Sequence, residues 1–339
     1  MTILENISLK AYNTFGIDVK AKSYVEVNKL EDIRQLIGQS AFAEDNFLIL
    51  GGGSNILFTG DFDGLVIKNK IGGLHYKGSG HDEVIVTAGA GMEWNELVLY
   101  CIEHGWGGIE NLSLIPGSVG AGPIQNIGAY GVELKDTFYA LDGIDLNTGD
   151  LRSFSREECS FGYRDSIFKR KLKGKLMITS VSLKLRKNAV PDISYGAISK
   201  ELEHMGIKGN PDIRAVGEAV SSIRSRKLPD PLEKGNAGSF FKNPVVSSQK
   251  LDELKKEHDG IPSYVLSDES AKVPAGWLIE QCGWKGRRMG DAGVHDQQAL
   301  VLVNHGNATG KDILSLANAI KASVKEKFGI NLEKEVNEL

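Results

Sequence analysis

The sequence predicts an α+β protein of two or three domains. The chain has 339 residues, two to three times the length of an ordinary domain, and its 41% of hydrophobic residues suffices for real cores. Short apolar runs typical of strands alternate with segments of helical periodicity. The 40 glycines exceed what the turns of a helical bundle require, and they cluster. These observations together indicate helices and strands joined by glycine-rich loops.

Composition excludes several classes of protein. The formal net charge is −4, so the chain lacks the basic excess with which proteins neutralise a nucleic-acid backbone. It contains no run of about 20 apolar residues that would span a membrane, and its start does not have the pattern of a signal peptide. The widely spaced Cys101, Cys159 and Cys282 form neither a disulfide framework nor a zinc pattern. We therefore expect a cytoplasmic protein with no nucleic-acid, membrane or metal partner.

The first segment predicts a βαβ-like unit with a glycine loop after its second strand. Residues 23–27 have the pattern of a strand, and apolar residues at 30, 33, 36 and 37 repeat with helical spacing. The apolar run at 47–50 ends abruptly at a glycine triplet, and a further strand is predicted at 64–67.

The later segments continue this alternation. A third segment is predicted to start near Ile213, and Gly329 to end the last helix. The predicted elements are, in order, a strand at 84–88, a helix over 94–101, strands at 138–145 and 176–185, a helix from 213 through 223 and a final helix over 313–328.

Gly51-Gly52-Gly53-Ser54-Asn55 is a candidate anion-binding loop. Successive glycines let the backbone turn sharply and aim several N–H groups at one position, which favours a phosphate. Ser54 and Asn55 add side-chain hydrogen bonds. A tight glycine turn without a ligand is the equally open alternative.

Residues 116–131 form a candidate bed for a flat, bulky cofactor. The chain contains neither GxGxxG nor GxxxxGK[ST], so the Rossmann and Walker schemes for holding phosphates are not supported. Seven of these sixteen residues are glycine or alanine and none is charged, which permits close approach of backbone to ligand. Gln125 and Asn126 are suited to hydrogen-bond a heterocycle. The alternative is an uncharged coil that packs beneath a loop.

Two polar side chains stand out in local motifs. Arg164 follows a glycine and a tyrosine, and a guanidinium is the natural partner of a carboxylate or phosphate. From the local sequence alone, a surface ion pair with Asp165 is the favoured interpretation. Ser239 lies between Gly238 and two phenylalanines, outside any GxSxG motif, which favours a hydrogen-bonding or proton-donating hydroxyl over a hydrolase nucleophile. A structural serine that satisfies a backbone group is the alternative.

Glu335 is the third candidate. Ile330, Leu332 and Val336 alternate, which predicts a short strand. Its opposite face would carry Glu335, and a carboxylate there would serve as a general acid or an orienting group. From the local sequence alone, an exposed strand face without a function is the favoured interpretation.

Taken in order, these motifs resemble one family, the bacterial UDP-N-acetylenolpyruvoylglucosamine reductases, also called UDP-N-acetylmuramate dehydrogenases. The resemblance covers nearly the whole chain and is closest to the longer, type I form, in which a tyrosine loop helps to close the substrate site. The matching motifs are Asn13-Thr14-Phe15-Gly16, Gly53-Ser54-Asn55, Ile115-Pro116-Gly117, Pro123-Ile124-Gln125-Asn126-Ile127-Gly128-Ala129-Tyr130-Gly131, Tyr163-Arg164-Asp165-Ser166, Gly235-Asn236-Ala237-Gly238-Ser239-Phe240-Phe241-Lys242-Asn243-Pro244 and Leu332-Glu333-Lys334-Glu335-Val336.

The resemblance implies a vanillyl-alcohol-oxidase-type FAD-binding fold of two α/β subdomains with a smaller α/β substrate domain. The implied limits are 1–70 for the first subdomain, to which 330–339 returns, 71–210 for the second and 211–329 for the substrate domain. FAD would be held by residues of the two glycine-rich loops, namely Gly51, Gly52, Gly53, Ser54, Asn55, Pro116, Gly117, Ser118, Gly120, Gln125, Asn126, Ile127, Gly128, Ala129, Tyr130 and Gly131.

The implied reaction is the NADPH-dependent reduction of the enolpyruvyl group of UDP-N-acetylenolpyruvoylglucosamine to give UDP-N-acetylmuramate for peptidoglycan synthesis. NADPH would reduce FAD, and a hydride would then pass from flavin N5 to the vinyl carbon of the substrate. Arg164 and a protonated Glu335 would bind or polarise the substrate carboxyl group, and Ser239 would deliver the proton. Protonation of Glu335 requires a pKa above the usual value of about 4.3.

Three further residues and one departure complete what the resemblance implies. Tyr195, Lys227 and Asn243 match positions that contact the UDP diphosphate. The family commonly has an arginine two residues after the catalytic glutamate, where this chain has Asn337, and on a continuous strand Asn337 would share a face with Glu335. Such an enzyme is expected to be a cytoplasmic monomer that serves cell-wall biogenesis and, through it, cell shape, the cell cycle and cell division.

Two other functions stay open at this point. A different flavoenzyme of the same fold, one that oxidises a small alcohol, would keep the FAD loops but has no use for the motif at 236–243. The second function is that of a module which binds a nucleotide sugar without turning it over. It stays open because Asn337 replaces a charged residue near the candidate catalytic Glu335.

Overall fold

The computed structural model describes residues 1–39, 41–42 and 46–339, and their contacts group into two compact units. The first comprises Met1–Ile7, Ala21–Gly53 and Asp63–Arg226. The second comprises Ser8–Lys20, Ser54–Phe62 and Lys227–Leu339. Each unit is therefore assembled from three separate stretches of chain. The division into three domains implied by the resemblance stays a prediction.

The helices predicted from periodicity are all present. They correspond to the first, second, fifth and last α-helices of the described residues. In chain order these helices are α1 (Leu30–Gly38), α2 (Trp94–Glu103), α3 (Leu134–Thr137), α4 (Gly196–His204), α5 (Ile213–Lys227), α6 (Ser248–Glu257), α7 (Ala275–Gln281) and α8 (Gly310–Phe328).

Every strand predicted in the first two segments is also confirmed, as β2, β3, β5, β7, β10 and β12 of the following series. In chain order the strands are β1 (Leu4–Ser8), β2 (Lys20–Val27), β3 (Phe47–Leu50), β4 (Ile56–Leu57), β5 (Phe62–Asn69), β6 (Leu74–Ser79), β7 (Glu83–Gly89), β8 (Gly128–Ala129), β9 (Val132–Glu133), β10 (Phe138–Asp145), β11 (Leu151–Ser155), β12 (Leu176–Arg186), β13 (Gly235–Ser239), β14 (Val245–Ser247), β15 (Tyr264–Ser267), β16 (Ser270–Lys272), β17 (Arg288–Met289), β18 (Ala292–Val294), β19 (Val301–Asn304) and β20 (Asn337–Glu338).

The first unit contains two main sheets. A four-stranded sheet has the order β1-β2-β5-β3, and a five-stranded antiparallel sheet has the order β11-β10-β12-β7-β6. The predicted βαβ-like unit differs in one respect, because β5 inserts between β2 and β3. It pairs with β3 in parallel and places Lys68 beside Leu50. The glycine loop therefore leaves the sheet from its edge strand.

Amphipathic helices cover these sheets as their periodicity predicts. Ile33 and Leu36 of α1 are fully buried in one core with Val25 and Ile67 of the four-stranded sheet. Helix α2 buries Trp94 and its neighbours one turn apart in the core of the five-stranded sheet. This packing fixes the end of β3, from which the first glycine-rich loop departs, and the start of α2, to which the second loop is hydrogen-bonded.

The second unit is built around the antiparallel sheet β13-β19-β18-β17. A three-stranded sheet, β14-β16-β15, and the parallel pair of β4 with β20 accompany it. Helix α8 begins with a capping box, in which the Thr309 side chain accepts from Asp312 N, and ends at Gly329 with φ 66°, as predicted.

Helix α5, which the sequence analysis placed at the start of a third segment, packs against α4. Its apolar residues Val216, Val220 and Ile223 share a core with Ile198 and Leu202 of α4. Because the two amphipathic helices bury their apolar faces against each other, residues up to Arg226 belong to the first unit.

The predicted strand over residues 330–336 is also wrong. The segment bends at Val336, and only Asn337–Glu338 forms a strand. Glu335 is buried whereas Asn337 is exposed, so the two do not share a face. The reason is a change of partner, since Glu335 N donates to the carbonyl of Phe240 and Asn337 N donates to that of Asn55.

None of the helices in the described part of the chain is long and apolar enough to cross a lipid bilayer.

Candidate active site

Two glycine-rich loops of the first unit meet beyond the end of β3. A Cβ atom on Gly51 would lie 2.3 Å from Ser118 Oγ, and one on Gly52 would lie 2.6 Å from Gly117 Cα. A side chain at either position would therefore collide with the second loop. The start of the predicted anion loop and the start of the predicted cofactor bed are thus in direct contact.

Left-handed glycines and close helix contacts fix both loops. Gly53 has φ 69° and Gly117 has φ 112°, which glycine adopts without strain. The carbonyl of Gly117 accepts from Trp94 N at the start of α2 (2.8 Å). A Cβ on Gly120 would lie 2.5 Å from that of Ala90. Loops of this kind present neighbouring backbone N–H groups as a nest for an anion.

The bed continues as a 3₁₀ helix, Val119–Ile124, and a loop held by Asn126. The Asn126 side chain is fully buried, and its Nδ2 donates to Glu133 Oε2 (3.1 Å) and to Gly162 O (3.0 Å). Its Oδ1 accepts from Lys135 N (3.0 Å). Because both amide hydrogens are bound within the protein, this side chain fixes the shape of the bed, and its predicted contact with a heterocycle stays a prediction.

Four non-glycine residues around the bed have a left-handed backbone. Their φ angles are 60° at Leu114, 46° at Asn126, 50° at Tyr130 and 53° at Arg164, and the described chain has only two others of this kind. Such a conformation costs a residue other than glycine roughly 1–2 kcal/mol. Backbone strain of this kind concentrates at functional sites, where the surrounding structure maintains it.

Arg164 points its guanidinium at the bed from the tight turn Gly162–Asp165. The ends of this turn exchange backbone hydrogen bonds of 2.9 and 3.3 Å. Arg164 Nη2 donates to the carbonyl of Gly128 (2.9 Å). The carboxylate of Asp165, the alternative partner considered from the sequence, forms an ion pair with Arg170 (Nε to Oδ2, 3.1 Å). The geometry places a cation at the edge of the bed, where it suits an acidic group.

Tyr195 packs against Tyr130 of the bed. Their ring centres are 5.4 Å apart and the rings are perpendicular, at 89°. Asn111 Nδ2 donates to the carbonyls of Tyr130 (3.1 Å) and Asp192 (2.8 Å), which joins the bed to the segment that precedes Tyr195. Burial raises the pKa of Tyr130. The structure therefore brings these two predicted tyrosines together in the first unit.

Arg224 is a cation in this region that sequence reasoning missed. Its Nε donates to the carbonyl of Leu114 (3.3 Å), one of the left-handed residues. Burial lowers the pKa of Arg224. The electrostatic effect of Arg164 lowers this pKa further, whereas that of Tyr130 raises it. Its position one helical turn before Lys227 on α5 is the signal that would have found it.

Ser239 lies at the end of β13, where the register with β19 shifts between Asn236 and Ser239. Asn236 Oδ1 accepts from Gly238 N (2.9 Å), and Gly238 has φ 65°. The following Phe240 and Phe241 are 1% and 0% exposed and anchor the chain. An irregularity of this kind redirects a side chain away from the regular pleat. It fixes the half-buried Ser239 in the second unit.

Glu335 is connected to two predicted motifs of the second unit. Its N donates to the carbonyl of Phe240 (2.9 Å), the residue after Ser239. Its own carbonyl accepts from Asn55 Nδ2 (3.2 Å). Glu335 is only 9% exposed, which excludes the alternative of an exposed strand face.

The remaining predicted residues, Lys227 and Asn243, also lie in the second unit. Asn243 Oδ1 accepts from Ala275 N at the start of α7 (2.9 Å), and the same side chain carries two amide hydrogens that can donate. Lys227 is exposed at the end of α5. In the ranges that the structure describes, no three His, Cys, Asp or Glu residues are grouped to hold a metal ion.

Comparison with known proteins identifies relatives along the whole chain. Residues 230–339 match the family described as the C-terminal domain of UDP-N-acetylenolpyruvoylglucosamine reductase, and residues 21–155 match the FAD binding domain family. Reductases of that name from Amoebophilus asiaticus and Flavobacterium johnsoniae are 49% and 48% identical to the chain over 337 and 338 residues. In both comparisons 99% of each chain is covered.

A solved structure agrees with this match. The crystal structure of UDP-N-acetylenolpyruvylglucosamine reductase from Thermus caldophilus aligns with a TM-score of 0.70 and 26% identity, over 100% of this chain and 99% of its own. The predicted α+β class with an FAD-binding fold is confirmed, and so is the resemblance on which it was based.

Proposed function

Because the chain belongs to the family of UDP-N-acetylenolpyruvoylglucosamine reductases, which are FAD-dependent oxidoreductases, we propose that it reduces the enolpyruvyl group of UDP-N-acetylenolpyruvoylglucosamine with NADPH. The product is UDP-N-acetylmuramate, a peptidoglycan precursor. The observation that carries the proposal is the contact of Gly51 and Gly52 with Gly117 and Ser118, which leaves no room for a Cβ atom.

This contact fits FAD. A loop without side chains exposes its backbone N–H groups, and these suit the pyrophosphate, while the uncharged bed suits the flat ring system. When bound, FAD would supply the hydride-transfer chemistry that links NADPH to the vinyl carbon of the substrate. The residues assigned to FAD are the sixteen named from the two glycine-rich loops.

Arg164 would hold the substrate carboxyl group and stabilise the negative charge that develops on it. A guanidinium presents several N–H donors in a fixed plane, which matches the two oxygens of a carboxylate. The left-handed backbone at Arg164 and its bond to Gly128 O hold this side chain in one place before the substrate arrives. Such preorganisation lowers the barrier because the group does not have to reorient during the reaction.

Ser239 would deliver the proton that the substrate needs after it has accepted the hydride. A serine hydroxyl is a weak acid, so the transfer requires a basic carbon and a short, fixed path. The irregular end of β13 and the buried Phe240 and Phe241 supply that fixation. Glu335, in its protonated form, would donate a hydrogen bond to the substrate carboxyl group.

The remaining contacts are assigned to the nucleotide part of the substrate. Tyr195, Lys227 and Asn243 would bind the UDP diphosphate, Tyr195 through its hydroxyl, Lys227 through its charge and Asn243 through its amide hydrogens. We further propose a cytoplasmic monomer that supports cell-wall biogenesis, and with it cell shape, the cell cycle and cell division.

A single-turnover flavin spectrum tests this proposal. Purified protein with FAD is reduced anaerobically with NADPH, UDP-N-acetylenolpyruvoylglucosamine is added, and the oxidised flavin band is followed. Prompt return of the band is the expected result. Reduction without return would favour a different flavoenzyme of the same fold, whereas a protein that binds the nucleotide sugar but takes up no FAD would be a binding module.

A further inference from the structure

Lys68 lies beside the proposed FAD loop, although no motif marks it. Strand β5 runs parallel to β3, and Lys68 pairs with Leu50, the last residue of β3. Its Nζ donates a hydrogen bond to the carbonyl of Gly51, the first residue of the loop. The register of two parallel strands therefore brings an ammonium group to the first peptide unit after the sheet.

This hydrogen bond sets the orientation of a peptide plane. The carbonyl of Gly51 and the N–H of Gly52 belong to one planar trans peptide, so they point in opposite directions. When Lys68 holds the carbonyl on its own side, the N–H of Gly52 must face the other side. Glycine at both positions would otherwise allow this plane to rotate, because glycine populates a wide range of backbone angles.

The surroundings of Lys68 strengthen its hydrogen bond. The side chain is half-buried, and burial lowers its pKa, as Lys70 also does, while Glu93 and Glu26 act in the opposite direction. A charge that has lost part of its water interacts more strongly with a neighbouring dipole or anion. Glu93 is bridged to Ser118 of the second glycine-rich loop, so both loops have a charged residue next to them.

We propose that Lys68 is a positioning residue for FAD, which holds the Gly51 carbonyl so that the Gly52 N–H is presented to the cofactor pyrophosphate. The inference rests on the proposed function, since it requires that the pyrophosphate binds at this loop. It assigns to Lys68 no contact with the substrate and no part in hydride transfer.

The test is the release of FAD from the holoenzyme. Each protein is purified with FAD and diluted stepwise, and the fluorescence of free flavin gives the dissociation constant. Lys68→Met keeps the apolar stem but removes the donor, and Lys68→Arg restores a charged donor. Lys77→Met, at an exposed lysine of β6, is the matched control for the loss of one positive charge.

Lys68→Met should weaken FAD binding by roughly 10- to 100-fold, the range expected for loss of a hydrogen bond to a charged group. Lys68→Arg should recover most of the affinity, and Lys77→Met should stay within about twofold of the unchanged protein. If Lys68→Met is not obtained folded, Lys68→Gln is measured instead and should also release FAD more readily, because its side chain is shorter and uncharged.

Equal FAD affinity of Lys68→Met and the unchanged protein would overturn the role of Lys68 and leave the proposed function intact. Equal weakening by Lys68→Met and Lys77→Met would overturn it as well, because net charge would then explain the effect. Failure of the unchanged protein to retain FAD would instead overturn the proposed function itself.

Discussion

Asn337 donates two hydrogen bonds to one acceptor, the carbonyl oxygen of Asn55. The backbone N and the side-chain Nδ2 of Asn337 both lie 3.0 Å from that oxygen. Asn55 in turn donates to the carbonyl of Glu335. Asn337 therefore ties the end of the chain to the Ser54–Asn55 part of the glycine loop.

Replacing Asn337 should loosen this fastening. Asn337→Ala removes one of the two bonds to Asn55 and should lower the free energy of unfolding by about 0.5–1.5 kcal/mol, measured by urea denaturation. Asn331→Ala, at an exposed residue of the same segment, is the control and should change it by less. Equal effects of the two substitutions would show that the side-chain bond contributes nothing.

Adding a single methyl group at Gly52 should abolish FAD binding. A Cβ there would lie 2.6 Å from Gly117 Cα, so Gly52→Ala must push the two loops apart. We expect the purified protein to be colourless. Its flavin content is measured from the ratio of flavin absorbance to protein absorbance. Gly38→Ala, at the end of α1, should keep the yellow colour, because in the described structure no atom beyond its own helix backbone and chain neighbours lies within 4 Å of the added Cβ. Normal flavin content in Gly52→Ala would remove the loop from the FAD site.

Arg164→Gly separates backbone strain from side-chain chemistry. Glycine relieves the cost of φ 53°, which offsets the lost contact with Gly128, so the free energy of unfolding should change by less than about 1 kcal/mol. Turnover should fall by several orders of magnitude, with FAD retained. Ser160→Gly, at another left-handed residue with φ 47°, should leave turnover unchanged. Substantial turnover in Arg164→Gly would contradict the role assigned to the guanidinium.

Ser239→Ala should affect only one half of the reaction. Reduction of FAD by NADPH should proceed nearly as before, because no proton is required from Ser239 at that stage. Reoxidation of the flavin by UDP-N-acetylenolpyruvoylglucosamine should slow by several orders of magnitude. Stopped-flow absorbance of the flavin measures both rates. Ser267→Ala, at an exposed serine of β15, is the control. Equal slowing of both half-reactions would refute Ser239 as the proton donor.

Glu110 should make stability depend on pH in the acidic to neutral range. This carboxyl group is 3% exposed, and burial raises its pKa above the ordinary 4.5, although the N–H of Gly108 opposes the shift. A raised pKa in the folded state means that its stabilising contribution is complete below pH 4.5 and is lost as the pH rises through the folded-state value. Unfolding in urea between pH 4 and 8 should therefore show a flatter pH profile for Glu110→Gln than for the unchanged protein, whereas the exposed Glu103→Gln should not flatten it.

Local patterns in the sequence predicted most of the elements, because helix periodicity and apolar strands are recorded in neighbouring residues. They did not predict the insertion of β5 between β2 and β3, since strand order is decided by packing between distant segments. The same reason explains the error at Glu335 and Asn337, whose backbone groups bind Phe240 and Asn55 respectively.

The sequence predicted the parts of the candidate site that need an unusual pattern of residues. It did not predict the parts that use residue types common in any helix or strand. The glycine loops are visible because only glycine fits their contact. Arg224 and Lys68 are ordinary members of a helix and a strand, and only their partners, the carbonyls of Leu114 and Gly51, distinguish them. The internal hydrogen bonds of the buried Asn126 amide could not be predicted either, because Gly162 and Lys135 are brought to it only by the folded chain.

The pairing of β4 with β20 also determines the order in which the protein can be completed during translation. Asn55 and its partner Glu335 are 280 positions apart, so the Ser54–Phe62 stretch leaves the ribosome long before the strand that it pairs with. Contacts of such long sequence separation form slowly. Until Asn337–Glu338 has been synthesised, Ile56 and Leu57 lack the strand with which they pair, so we expect this short segment to be among the last to reach its native pairing.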